Sequence, residues 1–185
     1  MKKFILILFA TFSLSCCNKD EDKTPIEQLP PATTTGANTA GCLVNGVAFL
    51  PKGSNQFGPT LSCFYQQLQD WYHLGLSIVE KSFTENKSIN ISLNPQQLNE
   101  NSTYALGLRT NSTTNYNSNF GEYIIINNIN AGKEYRTNNS NVGEIKITKL
   151  NNQLRIISGT FWYDAFLAGE KIEVRDGRFD MHYVN

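Results

Sequence analysis

The chain predicts an all-β protein: a single antiparallel β-sandwich or barrel-like domain of about ten strands behind a flexible N-terminal tether. Three observations lead there. Short stretches of alternating apolar and polar residues recur roughly every ten residues. Turn-forming pairs such as Asn45-Gly46 and Asp176-Gly177 sit between such stretches. No segment carries the apolar period of an amphipathic helix.

The first element is an export signal, assigned to residues 1–16. Lys2 and Lys3 give a positive start, residues 4–14 are apolar, and small residues lead into Cys16 and Cys17. The apolar run falls well short of the ~20 residues a spanning helix needs. A cysteine at its end resembles the lipobox of bacterial lipoproteins, in which the thiol is acylated and the signal is cut before it. Cys17 is the expected attachment residue, because Leu14 then stands three positions before it; Cys16, preceded by Ser15, is the alternative. Two or three acyl chains, at roughly 0.8 kcal/mol per buried methylene, hold a protein to a membrane essentially permanently. Counting from Cys17, the chain reads Cys-Asn-Lys-Asp-Glu-Asp, which resembles the lysine-plus-acidic signal that sends Bacteroidota lipoproteins to the outer face of the outer membrane. The expectation is an outer-membrane lipoprotein facing the cell exterior, with the periplasmic face as alternative.

Residues 17–40 lack periodicity, with Pro25, Pro30, Pro31 and the run 33–36, and are expected to be a flexible tether. The all-β domain takes residues 41–185. Asn45-Gly46 suits a two-residue hairpin turn. Residues 61–68 and 70–79 follow; in the latter Tyr72, Leu74, Leu76 and Ile78 alternate with Trp71, His73, Gly75 and Ser77. Ile89, Ile91 and Leu93 mark the next strand, and residues 94–102 a turn. Strands are then expected at 104–108, 123–129, 134–137, 144–150 and 154–163, with Gly159 at a bulge or bend. The last hairpin is read with Asp176-Gly177 as its turn. That sets Val174 against Phe179, Ile172 against Met181 and Glu173 against Asp180, with Arg175 and Arg178 diagonal to the acids.

The formal net charge is zero and charged residues make up 17% of the chain, so no basic footprint points to nucleic acid. If Cys17 is acylated and Cys16 leaves with the signal, Cys42 and Cys63 remain as an even pair in an oxidising compartment. A disulfide between them would close a loop of about 20 residues, worth roughly 3 kcal/mol.

His73 and His182 are the only two histidines, and no spacing brings them together on a metal. Glu173 and Asp180, with Asp164 or Asp176, are weak calcium candidates because the two arginines compete for them. No nucleophile elbow, phosphate loop or zinc-protease motif is present. No metal, cofactor or catalytic residue is assigned. The aromatic runs 71–72 and 161–163 put large rings on both faces of their strands. Trp71 and Trp162 are therefore the candidate ligand-binding residues, suited to stacking on a sugar or anchoring a partner protein.

The stretch Ile157-Ser-Gly-Thr-Phe-Trp-Tyr-Asp-Ala165, followed by Gly169-Glu-Lys-Ile-Glu-Val-Arg-Asp-Gly-Arg-Phe-Asp180, resembles an uncharacterised family of Bacteroidota lipoproteins ending in an SGTF…DGRFD-type pattern. Residues 143–150 and Val44-Asn45-Gly46 fit the same pattern. The resemblance implies an all-β exported domain and no activity. Together these readings give a non-catalytic binding or accessory module of the envelope, tethered to the membrane by lipid, with a glycan or an outer-membrane protein as partner. An enzyme or its accessory subunit, and a purely structural lipoprotein, are the alternatives.

Overall fold

The structure is a computed structural model that describes residues 23–53, 58–68, 71–109, 118–127, 132–138 and 142–185. The signal segment and both lipobox cysteines, Cys16 and Cys17, lie outside the described residues, as do positions 128–129 of the strand expected over 123–129.

Among the described residues a short 3-10 helix, Pro25–Gln28, precedes eleven strands. They are β1 (Thr39–Val44), β2 (Val47–Phe49), β3 (Leu61–Leu68), β4 (Trp71–Lys81), β5 (Glu85–Leu93), β6 (Thr103–Leu106), β7 (Phe120–Asn127), β8 (Lys133–Arg136), β9 (Gly143–Asn151), β10 (Ile156–Leu167) and β11 (Glu170–His182). One antiparallel sheet runs β2-β1-β11-β10-β8-β7-β5-β4-β3, with β9 paired to β10 and β6 to β9. The sheet curls until its edges meet. Tyr65 N donates to Val184 O at 3.0 Å and Val184 N to Cys63 O at 3.1 Å, so β3 lies beside the residues that follow β11.

The alternation expected for β4 and β5 sets the inside of the curl. Leu74, Leu76, Ile78, Ile89, Ile91 and Leu93 are all buried there, facing Ile145, Ile157, Tyr163, Val174 and Phe179. Fully burying each such side chain stabilises by roughly 1.5–3 kcal/mol. Tyr163 is completely buried, and its hydroxyl donates to Glu122 O at 2.7 Å, which satisfies the one polar atom the ring brings inside. Gly159 does lie at a bulge: pairing shifts between Ser158 and Gly159 against β9. A Cβ on Gly159 would stand 2.2 Å from Lys146 O.

The Asn45-Gly46 turn forms as expected, with φ of 48° and 81° joining Val44 to Val47. The Asp176-Gly177 turn does not. β11 runs straight through it, and the hairpin closes instead at Ala168-Gly169, between Leu167 and Glu170. Asp176 does take a positive φ of 52°, but in a bulge. Arg175 and Asp176 together oppose the single residue Trp162 on β10. A positive φ serves a turn and a bulge alike, so the dipeptide does not distinguish them. In the true register Val174 faces Tyr163, Ile172 faces Ala165, Glu173 faces Asp164 and Asp180 faces Ser158.

Two further expectations are corrected. Cys42 and Cys63 are separate, free, buried thiols. Cys42 sits beside Gly177 of β11 and Cys63 beside Val184. That places them on the order of 20 Å apart along the strand, far beyond disulfide reach. Burial pushes the Cys63 thiol up to about 12, and the Cys42 thiol higher still.

The described part of the tether is also not loose. Leu29 is buried, and residues 33–37 lie on β11, where Asp180 binds them. Thr33 Oγ1 donates to Asp180 at 2.6 Å, Thr35 N at 2.9 Å, Gly36 N at 2.8 Å and Ala37 N at 3.2 Å, while Ser158 Oγ donates from β10 at 2.7 Å. Composition marks residues 33–37 as linker-like, but a buried carboxylate gathers their backbone donors.

Candidate functional site

The two candidate tryptophans lie on different parts of the sheet. Trp162 points outward from β10, 37% exposed, with the Arg175 guanidinium 5.4 Å from its ring centroid. Arg175 is itself fixed by Asp164 and by the carbonyls of Tyr163 and Val174. This region forms an open groove whose walls include Glu144, Lys146 and Arg178.

Trp71 begins β4, half-buried, on the same face as His73, Gly75 and Ser77. The His73 ring lies 6.1 Å from the Trp71 ring and 4.8 Å, edge-on, from Phe64 of β3. Phe64 rests over Gly75, where a Cβ would come within 2.2 Å of its ring. Any other residue at Gly75 would lift Phe64 off the sheet.

Beyond these rings the outer face carries small polar groups. His73 Nε2 is 3.1 Å from Ser92 Oγ, and Ser77 Oγ donates to Asn90 Oδ1 at 2.8 Å. Burial lowers the His73 pKa, so the ring is neutral at neutral pH and offers one donor and one acceptor. Phe120 closes the far side, with Arg109 stacked 5.1 Å from its ring centroid. Phe64, His73, Ser77, Asn90, Ser92 and Phe120 line a hollow of about 180 Å³ that also touches Glu122.

Glu122 is 5% exposed and accepts from Arg109 Nη1 at 2.7 Å and Arg136 Nε at 3.1 Å. Burial pushes its carboxyl above the ordinary range, against the pull of Arg109. Glu134, at the outer side of the same arginines, is held below its ordinary value: burial works against that, but its hydrogen bonds and the charges of Arg136 and Arg109 together outweigh it.

The structure thus sets Trp71 beside His73 at the border of a trough and leaves Trp162 apart from it. Phe64, Phe120, Arg109, Glu122 and Arg136 escape the sequence reading. The parity of β4 and β5 carries part of the signal, since Trp71, His73 and Ser77 face outward beside Ser88, Asn90 and Ser92. The arginine–glutamate cluster joins strands distant in sequence and has no local signature. Among the described residues, no group of three His, Cys, Asp or Glu side chains can hold a metal. Glu173 lies with Lys171 on the surface while Asp180 faces residues 33–37, so the weighed calcium set is not assembled.

A family model described as a domain of unknown function, DUF6252, matches residues 75–181. The chain belongs to this family. The DUF6252 match runs from Gly75 in β4 to Met181 in β11, so the Asp176 bulge and Asp180 fall inside it. Residues 33–37, β1–β3 and the rings of Trp71, His73 and Phe64 fall outside. No curated protein and no solved structure matches the chain.

Proposed function

We propose that this DUF6252 protein is a non-catalytic binding module of the bacterial envelope, lipid-anchored through Cys17 to the outer membrane, facing the cell exterior, and that it binds a glycan in the outer trough of β3–β4–β5–β7. One observation carries the reading: the trough sets the rings of Phe64, His73 and Phe120, with Trp71 beside His73 at its border, around a floor of short hydroxyl and amide side chains (Ser77, Asn90, Ser92). A pyranose has the matching chemistry, with C–H faces that stack on rings and hydroxyls that exchange hydrogen bonds with Ser and Asn. The rings are held by backbone and by one another before any ligand arrives, so little ordering cost opposes binding.

An enzyme is the second reading, and Glu122 favours it, being a buried carboxyl raised above its ordinary pKa at the trough wall. Glycoside hydrolysis ordinarily needs a second acid across the cleft, and the described trough lining offers Glu122 alone.

Glycan-array binding with the wild type, Trp71→Ala, Phe64→Ala and Trp162→Ala separates the possibilities. Loss of binding in the first two variants and retention in the third supports the trough. Binding to no glycan sinks the carbohydrate reading, and glycan cleavage during the assay favours the enzyme. Incorporation of labelled fatty acid that Cys17→Ala abolishes tests the anchor, and protease shaving of intact cells tests the orientation.

A further inference from the structure

The registers place several turns at one end of the curled sheet. Ala168-Gly169 lies there, and Asn45 N donates to Glu173 O, which brings the β1–β2 turn beside it. Following the pairings from Phe166 to Arg136, Ile125 to Lys133, Ile126 to Asn86 and Asn86 to Lys81 brings the β4–β5 turn to the same end. That end carries a set of outward apolar side chains: Phe83 at the β4–β5 tip is 95% exposed, Val47 67% and Ile126 55%.

The path of the leader points to this end. Asn38 Oδ1 accepts from His182 N, residues 33–37 lie at Asp180, and Pro30 O accepts from Arg178. Read backward from Asn38, the leader therefore descends β11 toward its start. Pro25–Gln28 then packs against β2, next to the β1–β2 turn. From Lys23 only five residues separate the described chain from Cys17, at most about 22 Å of extended backbone.

We infer that the end of the sheet bearing Phe83, Val47 and Ile126 lies against the lipid surface, with Phe83 in the headgroup region of the bilayer. The inference rests on the proposed lipid anchor and adds to it an orientation and a second membrane contact. Apolar side chains at an interface add to an acyl anchor in proportion to the area they bury. Three ion pairs lie at this end, Lys87 with Glu85, Lys133 with Glu170 and Lys171 with Glu173. These pairs bring no excess of one sign to the surface. Trp71, at the trough's border, stands at the opposite end of β4, ten residues from Lys81 and roughly 30 Å away along the strand, clear of the bilayer.

The test uses the acylated protein in vesicles of phosphatidylethanolamine and phosphatidylglycerol. An environment-sensitive fluorophore is attached at Phe83→Cys or, at the other end, at Leu154→Cys; Cys42 and Cys63 are buried and do not compete. Both positions are exposed, so neither change disturbs the core. The account predicts blue-shifted emission and quenching by brominated lipid at position 83, and neither at 154. Bound fatty acid with no lipid quenching at 83 overturns the docking and leaves the anchor standing. A blue shift at 83 without lipid quenching overturns it too, and points to a protein neighbour. Absence of fatty acid from the protein removes the anchor, and the inference falls with it.

Discussion

Asp180 and Glu122 are both carboxylates buried in the wall of one sheet, and they are held in opposite ways. Asp180 is surrounded by neutral donors fixed by backbone: Gly36 N, Thr35 N, Ala37 N and the hydroxyls of Thr33 and Ser158. Burial raises its pKa, but these hydrogen bonds outweigh it and hold the carboxyl well below the usual range. Glu122 meets two half-exposed guanidiniums at the rim of an open trough, and there burial wins. The difference separates architecture from site. The last residue of the DGRFD pattern is a latch that closes residues 33–37 onto β11, while the carboxyl with chemistry to spare lies on another strand.

The largest expected effect is at the latch. Asp180→Ala leaves the buried donors Gly36 N and Ser158 Oγ, and the part-buried ones of Thr33, Thr35 and Ala37, without their acceptor; at about 1–3 kcal/mol for each buried donor, a loss of at least about 3 kcal/mol is predicted in urea unfolding. A change below about 1 kcal/mol would end the latch account. Residues 33–37 should become protease-sensitive in the same variant.

Next comes the pH dependence, where the two acids have opposite signs. The depressed pKa of Asp180 contributes stability that is complete above the unfolded value near 4 and is lost as pH falls below it. The raised pKa of Glu122 keeps its proton on the folded form, so stability declines as pH rises from about 4 through the folded value. Asp180→Asn should therefore flatten the acid limb of the stability profile, and Glu122→Gln the decline above it. The same slope changing in both variants would show that the two are not distinct.

Two glycines sharpen the contrast at smaller scale. Gly159→Ala drives a Cβ to 2.2 Å from the Lys146 carbonyl, which backbone cannot yield, and should cost about 3 kcal/mol. Gly75→Ala meets only the Phe64 ring at the half-exposed trough. It should cost about 1 kcal/mol or less while displacing that ring and weakening any glycan that binds. Equal losses of stability would contradict this division. The smallest effect is at the cysteines: a reducing agent should leave the melting temperature unchanged, because Cys42 and Cys63 are not bridged.

Much of the sheet was legible because its signal is local. Alternation in residues 71–79 and 88–93 identifies which side chains enter the core, and Asn45-Gly46 identifies a turn. Where two structures share one local signal, the reading fails: Asp176 lies in a bulge with the φ of a turn. Where partners are far apart in sequence, no signal exists. Nothing near residue 180 announces that it will bind residues 33–37, and nothing near Glu122 announces Arg109 or Arg136. Trp71 was legible as an outward ring, but the trough it borders needs Phe64 and Phe120 from other strands.

A side-chain carboxyl ¹³C titration tests the central distinction most directly, since it reads Asp180 and Glu122 separately in one sample. The account predicts that the Glu122 resonance moves above pH about 4.3 while that of Asp180 stays in its ionised position until well below pH about 4. Both resonances moving together near pH 4 would contradict it.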